Sequence, residues 1–417
     1  GWRYLRPKEI MESPFAREYE EACDIAFEVY SEGIKKLIEY FKQKLPETEF
    51  EIDVDRDGKI VKAKRGELQG EKEEKAFRIA YGFTVRCAAL DVGRCVLPAS
   101  TLTHLGVYGN GRFFTNLLTT MKSGELEEEH IRAEDAEREL KKVIPTFIKW
   151  NRDLPQRRER IAGMRRMAGN LFSSIKPEDK WVELIERDSY VDEIIAGTIY
   201  PYTHISLKQI LKELKKIPES EKLKILEAYV GKREARRDRT GRGLEAGYPL
   251  TFDLIGCFGE YRDLERHRML TQQRQLLTTD LGFIMPAEMR EVGLEKEVEE
   301  VVSRMSAVNR KLRQHGLVAA SQYATLFNNR IRFALGMNLR EFQHLSELRT
   351  QPAGHFSYRA MVMEMARQVN ERFHWASKVF EFIDYSDPGN KITRAKEQSR
   401  IAGENLAKGV SGEIDLD

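Results

Sequence analysis

Arg266-His267-Arg268-Met269-Leu270-Thr271-Gln272 closes a strand-then-helix unit, and its residue types suggest chemistry rather than packing. Two guanidiniums bracketing an imidazole make an anion-binding edge, suited to phosphates or to an electron-rich ring. Upstream, Tyr248, Leu250, Phe252 and Leu254 alternate as a half-buried strand, and Phe258 to Met269 reads as the helix that follows. A structural role is the alternative: the same cations would satisfy carbonyls at a helix C-terminus.

The rest of the chain is mostly helical in pattern. Ser13-Pro14 starts a helix in which Ala22, Ile25, Ala26, Val29, Gly33 and Leu37 recur at helical spacing up to about Leu45. Phe50, Ile52 and Val54, then Asp57-Gly58, then Ile60 and Val61 give a hairpin. The hairpin stretch imitates a calcium loop from Asp53, but Lys64 stands where a bidentate Glu is required. Helices are predicted from Glu73 to Gly93, from Gly111 to Trp150, and over Val298, Val301, Val302, Met305, Val308 and Leu312 to Gly316. Arg157, Arg158, Arg160, Arg165 and Arg166 mark a basic linker with a solvated helix, and the polar tail from Lys391 is expected to fray.

Composition excludes more than it assigns. The 417 residues hold 69 basic and 67 acidic side chains, so net charge points to no particular partner. No apolar run approaches the roughly 20 residues of a membrane span. Cys23, Cys87, Cys95 and Cys257 form no CxxC pair, so no metal site or disulfide framework is expected and a cytoplasmic setting fits. A start at Gly1 rather than Met points to processing or to a fragment.

An internal repeat organises these elements. Asn110-Gly111-Arg112 with Asn116 recurs as Asn338-Leu339-Arg340 with His344, an offset of 228 residues (110 to 338). Each copy follows a helix and a short loop, Gly93 to Pro98 in one and Gln322 to Phe327 in the other. Each continues into a helix with a polar-aromatic face, through Phe113, Phe114 and Leu117 or through Phe342 and Leu345. The Asn residues also read as plain helix caps, which would make the repeat scaffolding.

Arg266-His267-Arg268-x-x-Thr271, with Asn338-x-Arg340 and Leu348-Arg349 downstream, resembles the flavin-dependent thymidylate synthases, whose signature is RHRxxSxxxxSxR. Gly1-Trp2-Arg3-Tyr4 resembles the end of that signature, and Asp91 to Pro98 resembles the family's E-x-AR-x-x-LP loop. The resemblance implies an α+β fold, helix-rich with short antiparallel sheets, built as two tandem copies of a thymidylate synthase complementing-protein-like fold. The expected domains are a first repeat over 1–150 lacking its N-terminal part, a basic linker over 151–185, a second repeat over 186–390 and a polar tail over 391–417. An upstream segment with the first copy's RHR element is expected to be missing.

The implied reaction is reductive methylation of dUMP to dTMP, with FAD as cofactor and methylenetetrahydrofolate and NADPH as co-substrates. The cofactor carries the hard chemistry, and the protein supplies placement and electrostatics. By resemblance, FAD would be faced by Arg266, His267, Arg268, Thr271, Asn338, Arg340 and His344, and in the first copy by Asn110, Arg112 and Asn116. Arg349 and Arg94 match arginines that hold dUMP. Leu276 and Thr278 depart from the signature Ser and Arg, Arg274 from an acidic position, Tyr323 from the loop arginine and Met121 from the first copy's LR arginine.

Each lost charge-assisted contact costs about 1.5 to 3 kcal/mol, so two or three losses remove most of the ~8 kcal/mol of micromolar binding. The second copy alone is therefore expected to bind dUMP poorly. The family builds its sites between subunits, and two tandem chains assembling as a pseudo-tetramer would restore a full set. A catalytically degenerate paralogue that binds flavin or nucleotide as a scaffold is the alternative. A third class, nucleic-acid binding through Lys232 to Arg242 and Arg157 to Arg166, is disfavoured by interleaved acids and near-zero net charge. His355 and His374 lack spaced partners and read as packed or surface residues.

Overall fold

Ala22, Cys23, Ala26, Val29, Gly33 and Leu37 recur every three to four residues and are buried along one stripe of a helix that anchors the first half of the molecule. The computed structural model describes residues 3–56, 59–185, 190–231, 243, 246, 250–372 and 382–397. The first half contains α1 (Lys8–Met11), α2 (Ala16–Lys44), the hairpin β1 (Glu51–Arg56) and β2 (Lys59–Lys64), and α3 (Gly70–Gly93). Beyond these come α4 (Gly111–Lys122), α5 (Glu127–Val143), α6 (Pro145–Ile148) and α7 (Pro155–Phe172). Next are β3 (Val182–Leu184), α8 (Tyr190–Ile199), α9 (Leu207–Leu214) and α10 (Glu219–Val230). The second half continues with β4 (Leu250–Cys257), α11 (Phe258–Leu264), β5 (Thr271–Arg274), α12 (Ala287–Glu291), α13 (Glu295–Gln314), β6 (Arg330–Met337), α14 (Leu339–Arg349) and α15 (Phe356–Arg372).

The fold is α+β, with helices outnumbering two short antiparallel sheets. The larger sheet has the order β3-β4-β6-β5, with β4 pairing β6 from Leu250↔Met337 to Cys257↔Arg330. One face, through Leu250, Phe252, Leu254, Phe333 and Leu335, shares a core with residues of α14 and α15. On β4 the neighbouring Asp253 belongs to the other face, as period-two strand geometry requires. Its carboxylate accepts from Tyr200 Oη at 2.8 Å, from Arg332 Nη1 at 3.2 Å and from the Leu207 amide at 2.5 Å. This network is fully buried, and removing one partner of such an ion pair costs about 3 to 5 kcal/mol because the other charge is stranded.

A second core joins α2 and α3 to α12 and α13. Here the two halves repeat in hydrogen bonding. Tyr4 bridges Thr101 as Phe283 bridges Asn329. The Leu5 amide donates to Ser100 O and the Leu102 amide to Arg3 O, at 2.8 and 3.0 Å. In the second half the Ile284 amide donates to Asn328 O and the Arg330 amide to Gly282 O, at 3.0 and 2.9 Å. Pro7 precedes α1 as Pro286 precedes α12, and Ile10 and Met289, both fully buried, occupy matching positions. Between the halves the two loops pair with each other around Pro98↔Leu326: the Ala99 amide donates to Thr325 O and the Phe327 amide to Leu97 O.

The repeat has two offsets, 279 residues from Tyr4 to Phe283 and 228 from Thr101 to Asn329. The first half is longer between those points, and the β1–β2 hairpin lies there. The larger sheet has no counterpart in the first half among the described residues, so two complete copies of the fold are not observed.

Several local expectations change. The predicted helix over Gly111 to Trp150 is broken into α4, α5 and α6: Gly124 interrupts it, three glutamates open α5, and Pro145, lacking an amide proton, restarts it. Residues 151–185, expected as a linker, hold α7 and β3, and Met164, Ala168 and Phe172 of α7 are buried at helical spacing hidden by the surrounding arginines. α11 stops at Leu264 rather than Met269, because Gln272 Nε2 takes the carbonyls of Glu265 and His267, at 2.8 and 2.9 Å, out of the helical pattern. In the tail Arg394 pairs with Asp91, Lys391 with Glu288, and Ala395 is buried, while 398–417 lie outside the described residues.

Candidate functional site

The link between α11 and β5 carries the RHR stretch, and α14 packs beside it. Asn338 caps α14, its Oδ1 accepting the Glu341 amide at 3.0 Å, and this fixes the first turn from which Glu341 projects. Glu341 Oε1 meets His267 Nδ1 at 2.9 Å. On the other side of the ring, Arg349 Nε donates to His267 Nε2 at 2.9 Å. A guanidinium can only donate, so Nε2 must present its lone pair and the proton sits on Nδ1. Burial first, and then the charge of Arg349, lowers the His267 pKa to about 4, so the ring is neutral at physiological pH. Burial also raises the Glu341 carboxyl above its usual range.

The other residues of this stretch differ in access. Arg266 is exposed and pairs with Asp263, whereas Arg268 is exposed and makes no hydrogen bond or ion pair among the described residues. Arg349 also lies 5.6 Å from the Tyr358 ring centroid, and its Nη atoms make no hydrogen bond among the described residues. The His344 ring is exposed, with its centroid 5.5 Å from that of His267. Thr271 is buried at the start of β5, opposite Gly336. The Arg340 side chain lies outside the described residues.

Arg94 belongs to a different cluster. It follows α3, and its Nη2 lies 3.8 Å from where a Cβ on Gly259 would stand, so a first-half arginine reaches the N-terminal end of the second half's α11. Beside it Glu260 is buried and accepts the Cys257 amide at 2.8 Å. Burial pushes the Glu260 carboxyl up to about 7, opposed by that amide, by Ser357 and by the charges of Arg94 and Arg330. Ser357 Oγ lies 2.7 Å from Nδ1 of His355, which is buried and held neutral by burial and by Arg94. Sequence spacing gave no sign of Glu260, Ser357 and His355, because the three meet only when α15 packs on α11.

Asn110, Arg112 and Asn116 form a third group. Asn110 caps α4 by accepting the Phe113 amide at 2.9 Å, and all three are exposed. No hydrogen bond or ion pair among the described residues joins them to the surroundings of His267. The 228-residue offset of Thr101 and Asn329 sets Arg94 against Gln322, one residue before Tyr323. Tyr323 instead donates from Oη to Glu128 at 2.6 Å. The Arg157 to Arg166 cluster is largely committed to the fold, with Arg158 on Asp153, Arg165 on Glu125 and Arg160 over Tyr229, which removes much of its charge from a nucleic-acid surface. Lys232 to Arg242, His374 and Trp375 lie outside the described residues. No described helix is long and apolar enough to cross a membrane.

A family model described as thymidylate synthase complementing protein matches residues 249–373, from the start of β4 to the end of α15. The chain is 34% identical over 415 residues to a UPF0159 protein of Chlamydia muridarum, a match covering 95% of this chain and 72% of that protein. It is 32% identical over 399 residues to a UPF0159 protein of Chlamydia pneumoniae, covering 92% and 69%. A UPF0159 protein of Thermoplasma acidophilum is 30% identical over 377 residues, covering 89% and 74%.

Proposed function

We propose a reaction for this chain, which belongs to the thymidylate synthase complementing protein family together with the UPF0159 proteins: FAD-dependent reductive methylation of dUMP to dTMP, with methylenetetrahydrofolate and NADPH as co-substrates. Family membership supports a thymidylate synthase-related function, and the reaction is our reading of the site. The observation that carries it is the chain Glu341–His267–Arg349, which spends Arg349 Nε on a neutral imidazole and leaves its Nη donors for an anion.

The donor set fits the cofactor. Arg268, Asn338 and His344 are exposed side chains carrying N–H donors, the polarity a pyrophosphate requires. When bound, FAD supplies the hydride chemistry. Arg266, Arg268, Asn338, Arg340 and His344 would hold it, while His267 and Thr271 are buried and act by positioning. Arg349 would bind the nucleotide, using a guanidinium already oriented by His267, and a donor fixed beforehand costs little reorganisation when charge develops on the uracil ring. Arg94 would serve the nucleotide from the other half. Asn110, Arg112 and Asn116 are exposed together on α4, and we assign them to a flavin site shared with a second chain in a pseudo-tetramer.

Purified protein supplied with FAD, NADPH, methylenetetrahydrofolate and dUMP should form dTMP, and Arg349→Ala should lower the rate by ~100-fold or more. A degenerate paralogue, suggested by the apolar Leu276 and the uncharged Thr278, would bind flavin and form no dTMP. That outcome, or an unchanged rate in Arg349→Ala, contradicts the proposal.

A further inference from the structure

Asp91 and Arg94 stand three residues apart where α3 ends. The backbone stays helical through Arg94, at φ −58° and ψ −10°, so the two side chains leave the same face with the acid one turn ahead of the cation. That is a spacing at which a carboxylate takes a guanidinium. Among the described residues no ion pair joins them. Asp91 Oδ1 instead meets Nη1 of Arg394, in a pair whose side chains are 13% and 18% exposed. The Arg94 guanidinium makes no hydrogen bond or ion pair among the described residues.

Arg394 arrives on a docked segment. Residues 391–397 are helical, and Lys391, Arg394 and Ala395, at i, i+3 and i+4, share the face turned to the protein. Lys391 pairs with Glu288 of α12 and lies 4.4 Å from the Phe356 ring centroid. Ala395 is fully buried in the core that joins α2 and α3 to α12 and α13. After burial, the charges of Arg94, Arg394 and Lys391 all lower the His355 pKa, which places the three cations around one imidazole. The other acid there, Glu260, is buried with its carboxylate on the Cys257 amide and forms no ion pair with Arg94.

We propose that Arg394 is a positioning residue for Arg94: it occupies the Asp91 carboxylate and so leaves the Arg94 guanidinium unpaired for an anionic ligand. The inference rests on the reading of Arg94 as an arginine that serves the nucleotide, and deepens it. A paired arginine must give up its carboxylate before it takes a phosphate, and that loss is subtracted from affinity. With Arg394 in place the competition is absent. Without Arg394, Asp91 turns to the cation on its own helical face, which is Arg94.

Modification of Arg94 by phenylglyoxal, read by mass spectrometry, tests this without a nucleotide, because a guanidinium held by a carboxylate reacts more slowly. Arg394→Gln should slow the modification of Arg94 by ~5-fold, the worth of a partly exposed ion pair, and weaken dUMP binding in calorimetry by a similar factor. Asp91→Asn/Arg394→Gln should restore the modification rate, and Arg394→Lys should keep it. Asp91→Asn alone breaks the same tail contact and should leave the Arg94 rate unchanged, which separates release of Arg94 from a merely structural latch. An unchanged or faster rate in Arg394→Gln would overturn the inference. So would an equal slowing in Asp91→Asn. Failure of dUMP to bind the unaltered protein, with the modification rates in the expected order, contradicts the nucleotide reading and supports the role of Arg394.

Discussion

Arg349 Nε donates to His267 Nε2 over 2.9 Å, so a side chain at the end of α14 and the middle residue of the RHR stretch act as one unit. The imidazole orients the guanidinium, and burial first, then the guanidinium's charge, keeps the imidazole neutral. What looked in the sequence like three residues facing a cofactor is two exposed arginines around a buried imidazole.

Removing Arg349 should raise the His267 pKa. The ring stands at about 4 against an ordinary 6.5, with burial the larger cause and Arg349 next. In Arg349→Gln the charge is lost, and an NMR titration should find the His267 midpoint shifted upward. A midpoint that does not move would mean that the guanidinium does not act on the ring.

The same shift predicts the pH dependence of stability. As pH falls below 6.5 the unfolded chain takes up a proton at this position, while the folded chain resists until about 4. Stability is therefore present above 6.5 and lost towards 4, a contribution on the order of 3 kcal/mol. Urea unfolding at pH 7, 5.5 and 4.5 should show His267→Gln losing less stability on acidification than the unaltered protein. A steeper loss would give the shift the wrong sign.

Asn338 separates a cap from a ligand contact. Its Oδ1 caps α14, so Asn338→Ala should cost about 1 kcal/mol in thermal unfolding. Asn338→Asp keeps the acceptor and removes the amide donor, so it should retain stability while weakening flavin affinity. Asn110→Ala should cost a similar amount at α4, where the cap is the same. An Asn338→Asp protein that binds flavin as tightly as the parent would reduce Asn338 to a cap.

The sequence exposed what depends on period and punctuation. α2, α13 and the β1–β2 hairpin follow from apolar spacing and from Asp57-Gly58, and the Asn110 and Asn338 repeat marked matching caps. It concealed what depends on pairing across distance. α7 hid its stripe of Met164, Ala168 and Phe172 among arginines, and α11 ended early because of a side chain eight residues beyond it, Gln272. Glu260 and His355 are 95 positions apart (260 to 355) and share Ser357, a relation that no local pattern encodes.

The central claim is a flavin site that senses a nucleotide through Arg349. The measurement is the visible absorbance of the purified, FAD-supplemented protein before and after addition of dUMP, repeated in Arg349→Ala. We expect retained flavin bands that shift with dUMP in the parent protein and do not shift in Arg349→Ala. Loss of flavin on purification, or a flavin spectrum in the parent that ignores dUMP, would contradict the account.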